Sequence, residues 1–455
     1  VNSISIKQVC ETIWNIEKEE DLLNWEIENV KIWQLLRFEI FMILSQKVGL
    51  YEQAHSKTKL SRKIRLLPLF LMNSLYKSPF KDRYEKKILV FDHPRKVKDG
   101  EKYLDIYTDD LLKEMDDEQV NVIESDYLGS HYNKHEKNRR YLDSLKLSIK
   151  VKRPFTKCKL NDSDVLLIEK VERNIEKYLK VKVKLKDFII AGVKKYKIEY
   201  NYYNKLFKKR KPQKIYLVVS YRKGALIAAA KADNIETVEI QHGVINKYHL
   251  GYNFPFFSGY IEYFPNKLLL FGEYWKKTIS FPIHKNNIQV RGFPYLNNKI
   301  KNYNSNNKKK QILFISQGTI GRELIEFAYK VASECKEYNV LFKLHPGEDE
   351  AKYKFINHNI ALKNFNVIIN EKKELYSYFS ESEYQVGVYS TALYEGLVFD
   401  CKTILINLPG IEYMEDLISN KFVHKVSNIE EFKSLLSGNS NKEVYSDFKN
   451  QIFFT

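Results

Sequence analysis

At 455 residues, with 44% apolar and 14% aromatic residues, the chain is too long for one ordinary core and too apolar for a disordered one. Its 75 Lys and Arg against 57 Asp and Glu leave a formal charge of +18, which favours anionic partners such as phosphates, acidic glycans or an anionic membrane surface. Cys10, Cys158, Cys335 and Cys401 stand far apart without a Cys-x-x-Cys pair, which argues against a disulfide framework or thiolate zinc site and fits a reducing compartment.

Val1 to Glu20 lacks the basic-then-apolar pattern of a signal peptide, and nowhere do about 18 apolar residues run uninterrupted. The expectation is a cytoplasmic protein with at most peripheral contact at the inner face of the plasma membrane. Nucleic acid is not an expected partner, because no zinc finger, RNP motif or compact basic helix is present.

Residues 1–85 read as a helical extension. Ile32 to Leu50 carries an apolar stripe interrupted by Arg37, Glu39 and Gln46. Leu66 to Leu75 is strongly apolar between the basic flanks Lys57, Lys59, Arg62, Lys63, Arg65, Lys77, Lys81 and Arg83, which suits either packing on a neighbouring lobe or an anionic membrane surface. From Lys87 short apolar runs alternate with helical stretches, the pattern of parallel sheets covered by helices.

Residues 86–264 read as a first Rossmann-like lobe, with strands at Ile88 to Phe91, Val120 to Ile123, Ile215 to Ser220 and Thr237 to Ile240. Between them Asp164 to Lys211 is long, basic and helical in rhythm, and Lys223 to Asp233 is an Ala-rich helix. Residues 265–430 read as a second such lobe, with strands at Leu268 to Phe271, Ile288 to Arg291, Ile312 to Ser316, Val340 to Leu344, Val367 to Ile369, Tyr384 to Val388 and Thr403 to Ile406. Asn297 to Lys310 reads as a solvated loop, and residues 431–455 as terminal helices bracing the lobes. The fold class is therefore α/β, two doubly wound parallel-sheet lobes with an N-terminal helical extension.

In such sheets ligands bind beyond the carboxyl ends of the strands. In the second lobe those positions carry Ser316 to Gly321, His345-Pro346-Gly347-Glu348 and Tyr389-Ser390-Thr391. Ser390 and Thr391 open a helix, where hydroxyls and free backbone amides converge on a point that attracts a phosphate. Glu395 lies one turn further on the same face, placed to accept ribose hydroxyls. His345 ends its strand and can donate to a phosphate, while Gly318 and Thr319 form a phosphate-cradling turn that matches neither the dinucleotide fingerprint nor a P-loop. In the first lobe Glu239-Ile240-Gln241-His242-Gly243 ends one strand, and His242, with an unperturbed pKa near 6.5, is the first choice of general base over Asp92 and Glu239. Asp92-His93-Pro94-Arg95-Lys96 ends another strand, and its cations suit an acidic acceptor. Asp162-Ser163-Asp164 imitates a metal-binding Asp-x-Asp but precedes a helix, where such residues cap.

Gln241-His242-Gly243, Lys343-Leu344-His345-Pro346, and Tyr389-Ser390-Thr391 with Glu395 together resemble the bacterial capsule and surface-polysaccharide synthesis transferases of GT-B type. That set includes polysialyltransferases, Kdo transferases and teichoic-acid glycerophosphate polymerases, and the match runs through most of residues 85 to 425. The resemblance implies a metal-independent glycosyltransferase with no cofactor. The second lobe, with His345, Ser390, Thr391, Glu395, Gly318 and Thr319, would hold a nucleotide-sugar donor, CMP- or CDP-linked, such as CMP-sialic acid or CMP-Kdo. The first lobe, with His93, Arg95 and Lys96, would hold a glycan or glycolipid acceptor. The sequence departs from the set in lacking an Asp/Glu-Asp/Glu-Gly motif and in placing Val244 where the polymerases carry threonine. Two other readings stay open: a nucleotide-sugar epimerase, and a non-catalytic glycan- or membrane-binding component of an assembly complex.

Overall fold

The computed structural model describes residues 4–51, 60–81, 86–127, 129–132, 138–303, 308–318, 320–345, 348, 362–369, 373–438 and 452–455, with the backbone alone for 60–64. Thr319, Pro346 and Gly347 among the residues singled out above lie outside this set, as do the basic flanks Lys57, Lys59 and Arg83.

Seven strands form the first sheet, every pair parallel. Their spatial order is Ile288–Val290, Lys267–Leu270, Glu236–Ile240, Lys214–Val218, Ile88–Phe91, Val120–Glu124 and Arg139–Tyr141. Six more form the second, also all parallel: Phe365–Ile368, Asn339–Lys343, Lys309–Ile315, Ser382–Gly387, Lys402–Ile406 and His424–Val426. Each sheet starts at a central strand, grows to one side and then crosses back to grow on the other. The crevices where ligands bind in such sheets therefore open beside Phe91 and Val218 in the first lobe, and beside Ile315 and Gly387 in the second.

Along Lys309–Ile315 alternate residues serve different cores: Ile312 and Phe314 face one apolar cluster, Leu313 and Ile315 another. A strand buried on both sides is what a near-continuous apolar run produces in a parallel sheet.

Two expectations are corrected. Lys267–Leu270 and Ile288–Val290 belong to the first sheet, not the second, so the first lobe extends past residue 264. The stretch from Asn297 is not wholly a loop, because Pro294 at the first turn opens a helix that runs to Asn302. Asp164 closes a capping box with Asn161 at the start of Asp162–Leu179, so this Asp-x-Asp stretch is a helix cap.

The N-terminal helices Ile6–Glu19 and Ile32–Lys47 share one core with the helices Asp162–Leu179 and Lys186–Arg210. Arg37, which interrupts the apolar stripe in the sequence, is buried. Its guanidinium pairs with Glu17 through two contacts of 2.8 Å and donates to the carbonyls of Leu250 and Asn253 at 2.5 and 2.9 Å. The extension is thereby fastened to the loop after the Glu236–Ile240 strand, and its helix brings Phe38, Phe41 and Met42 to the wall of a cleft between the lobes. At the other end Phe453 and Phe454 are fully buried, and the Phe453 carbonyl accepts from the Trp275 indole at 2.7 Å.

Candidate functional site

Both lobes present their strand ends to one cleft of about 400 Å³. On the second-lobe side Ser390 caps the helix Thr391–Val398, its hydroxyl accepting from the Ala392 amide at 3.2 Å, and Ser390 and Thr391 line the cleft. Glu348 ties the two neighbouring strand ends together. It accepts from the Ser316 hydroxyl at 2.9 Å and from the His345 amide at 2.6 Å, and Gly318 packs beneath it, where a Cβ would come within 3.3 Å of Glu348 Cγ. The Gln317 side chain accepts from the Tyr389 amide at 3.2 Å, which joins this loop to the Ser390 turn across the switch point.

On the first-lobe side Gln241 fixes the histidine loop. Its amide group donates to the Gly243 carbonyl at 2.8 Å and accepts from the Phe271 amide at 2.8 Å. His242 then stands 6.3 Å from His93, ring centre to ring centre, with Tyr221 at 6.1 Å and Tyr107 at 6.4 Å. The lobes meet here. Arg95 Nη1 lies 3.4 Å from His345 Nε2, and a Cβ on Gly243 would stand 3.4 Å from Thr391 Oγ1, ordinary contact distance, so the histidine loop lies against the helix start. The Arg95 charge also acts on the Tyr107 hydroxyl and on Glu395.

Electrostatics sort these groups. Burial, reinforced by His93, His249, Lys223 and Arg95, holds His242 well below the usual imidazole range, so its ring is neutral and a weaker base than its unperturbed value implied. His345 falls to about 4 for the same reasons, burial first and Arg95 second. Glu395 moves the other way: burial lifts it to about 7 against the opposing Tyr376 hydroxyl, which donates at 2.9 Å, and Arg95.

Three candidates take up different positions from those expected. Lys96 is turned inward, its ammonium 2.5 Å from Asp92 and 3.4 Å from Asp105, so it is no surface cation for an acceptor. Burial works against that charge, but Asp92 and Asp105 more than offset it and raise the Lys96 pKa. Asp92 is enclosed by Lys96 and Arg139 and supports the loop carrying His93, whose amide donates to Asp105 at 2.6 Å. Glu239 is buried away from the cleft, accepting from the Ser220 amide at 2.9 Å and the Tyr252 hydroxyl at 2.6 Å. Sequence reasoning missed Lys223. The Lys223 ammonium is held by the Val218 and Val219 carbonyls beside the first switch point, and burial lowers its pKa to about 8. Val219 there has φ of 65°, a left-handed backbone that β-branched residues rarely adopt.

No family description and no curated protein matches this chain. Among solved structures it is similar to a UDP-GlcNAc 2-epimerase from Methanocaldococcus jannaschii, with a TM-score of 0.47 and 10% identity over 80% of this chain and 95% of that one. It is also similar to the Neisseria meningitidis UDP-GlcNAc 2-epimerase bound to UDP-GlcNAc (0.45, 12%, 80% and 96%) and to the spinosyn rhamnosyltransferase SpnG bound to spinosyn aglycone (0.42, 10%, 80% and 93%). The chain has the GT-B fold. The expected transfer of a CMP- or CDP-linked sugar to a surface glycan is corrected: the similar solved structures are mostly UDP-GlcNAc 2-epimerases, and no capsule-synthesis family matches. The physical reason is that the motifs behind the resemblance are polar strand ends facing a cleft between two parallel-sheet lobes. Such strand ends occur in enzymes of this architecture whatever reaction they carry out.

Proposed function

We propose that this chain is a nucleotide-sugar epimerase. The observation that carries the reading is the meeting of the lobes at Arg95 and His345, beside a cleft of about 400 Å³ that Ser390, Thr391, His345 and His249 line. A cleft of that volume holds a small ligand such as a nucleotide sugar. In this reading Ser390, Thr391 and His345 hold the nucleotide phosphates at the positive end of the Thr391–Val398 helix, with Arg95 completing the charge. The sugar extends towards the first lobe.

Inversion of the carbon next to the anomeric centre balances if one group takes its proton while the C–H electrons form a double bond and the nucleoside diphosphate leaves, and another group returns a proton to the opposite face as the diphosphate adds back. His93 and His242 from the first lobe and Glu395 from the second are the titratable groups assigned to these two roles. Glu395, held at about 7, exists in both forms near neutral pH. Asp92, Lys96 and Glu239 act as supports beneath the loops. UDP-GlcNAc, the ligand of the similar Neisseria protein, is the first substrate to test. In D2O, proton NMR should reveal a second isomer with deuterium at the inverted carbon, and His345→Ala should slow its appearance. A folded, UDP-binding protein that yields neither isomer nor deuterated sugar would overturn the reading.

A further inference from the structure

The helix Leu60–Tyr76 is built the wrong way round for a helix that serves only its own lobe. Asn73 and Ser74 are buried, Ser74 returning its hydroxyl to the Phe70 carbonyl at 2.8 Å, whereas Leu67, Leu71 and Leu75 lie outward at successive four-residue steps. Leu71 is 41% exposed, Leu75 60% and Tyr76 74%, with Met72 beside them. Leu66 faces inward and packs on Gly129, so the outward leucines are not needed to seat the helix. An apolar stripe of this length on a free surface marks a contact site.

The charge around the stripe selects its occupant. The helix Asp143–Lys152 packs against it, the Lys150 ammonium standing 4.9 Å over the Phe70 ring. That helix ends in Lys150, Val151, Lys152 and Arg153, all exposed, followed by Phe155 at 82% exposure. Arg65 is exposed on the first helix. Apolar side chains alternating with cations, on a protein of charge +18, complement a surface that is apolar below and anionic above. No helix among the described residues is long and apolar enough to cross a membrane, so this face can lie on a bilayer but not span it.

We propose that the outward face of Leu60–Tyr76, with the end of Asp143–Lys152, docks on an anionic lipid bilayer. Co-sedimentation of the full chain with phosphatidylglycerol-containing vesicles should show capture at low salt. Capture should fade as ionic strength rises and the screening length falls to about 8 Å, and phosphatidylcholine vesicles alone should retain much less protein. Leu71→Asp with Leu75→Asp, both exposed and so without effect on the melting temperature, should lower partitioning about tenfold or more. Lys150→Glu, Lys152→Glu and Arg153→Glu together should abolish the preference for anionic vesicles. Three results would overturn the proposal: no capture by anionic vesicles at low salt, capture unchanged by the leucine substitutions, or equal capture by phosphatidylcholine. So would light scattering that finds a dimer abolished by the leucine substitutions while no vesicle retains the chain.

Discussion

A carboxyl that burial lifts to about 7 is half charged at neutral pH, and Glu395 carries that property into both stability and binding. Its pKa is raised from 4.5, so between these values the folded state keeps a proton that the unfolded chain has released. Stability therefore falls as pH climbs from about 4.5 through 7, by on the order of 3 kcal/mol for this group. Glu395→Gln, a neutral isostere, should flatten that decline in urea unfolding curves taken at pH 5 and pH 8. A decline of unchanged size in the variant would assign it to other groups. The relation of Glu395 to Thr391 is legible from their four-residue spacing. Its environment is not, because Tyr376 and Arg95 come from other elements. The same holds for Arg95 and His345: each stands at a recognisable strand end, but they are 250 residues apart and only the packing of the lobes brings them together. Side-chain direction was equally hidden for Lys96, since a cation beside a strand end reads the same whether it faces the cleft or a buried Asp92.

At the level of elements, Glu17 and Arg37 link the two N-terminal helices to each other and to the loop at Leu250 and Asn253. Removing one partner of a buried ion pair leaves an uncompensated charge, which typically costs about 3 to 5 kcal/mol. Glu17→Gln should therefore destabilise the protein by about that amount in chemical denaturation, and the joint replacement Glu17→Leu with Arg37→Met should recover much of the loss. If the single substitution costs under about 1 kcal/mol, the pair does not fasten the extension. Helical rhythm shows that Ile32–Lys47 is a helix, but an arginine in its apolar stripe looks like an interruption until Glu17 is found beside it. The strands show a similar boundary. Their apolar runs reveal that Lys267–Leu270 and Ile288–Val290 are strands, yet a run of leucines does not record which sheet its hydrogen bonds complete. Both were therefore assigned to the wrong lobe. Arg139–Tyr141 and His424–Val426, three residues each, carry charged residues that break the run and were not legible at all.

At the scale of the whole molecule, the two lobes are joined by more than their cleft contacts, because Phe453 lies between them. Its ring is 4.8 Å from Tyr274 on the first-lobe side, and 5.3 Å from Tyr394 and 5.6 Å from Phe422 on the second. The Phe454 carbonyl accepts from the Phe293 amide at 3.1 Å, and a Cβ on Gly272 would come within 2.5 Å of backbone atoms of this segment, so glycine is what lets it lie so close. One large apolar cluster runs through the N-terminal helices, both lobes and this segment, whereas the second lobe also has a core of its own around Phe314 and Phe432. A shared core makes lobes unfold together; a separate one lets them part. Phe453→Ala removes a buried aromatic side chain from the shared part, a change that usually costs about 3 to 5 kcal/mol. Because that loss falls on the junction, it should split the calorimetric unfolding of the protein from one transition into two. Phe432→Ala, of similar size but inside the second lobe, provides the contrast: it should lower the transition temperature of that lobe without weakening what joins the lobes. Two transitions in the wild-type chain, or a single unsplit transition in Phe453→Ala, would show that the segment covers the lobes without coupling them.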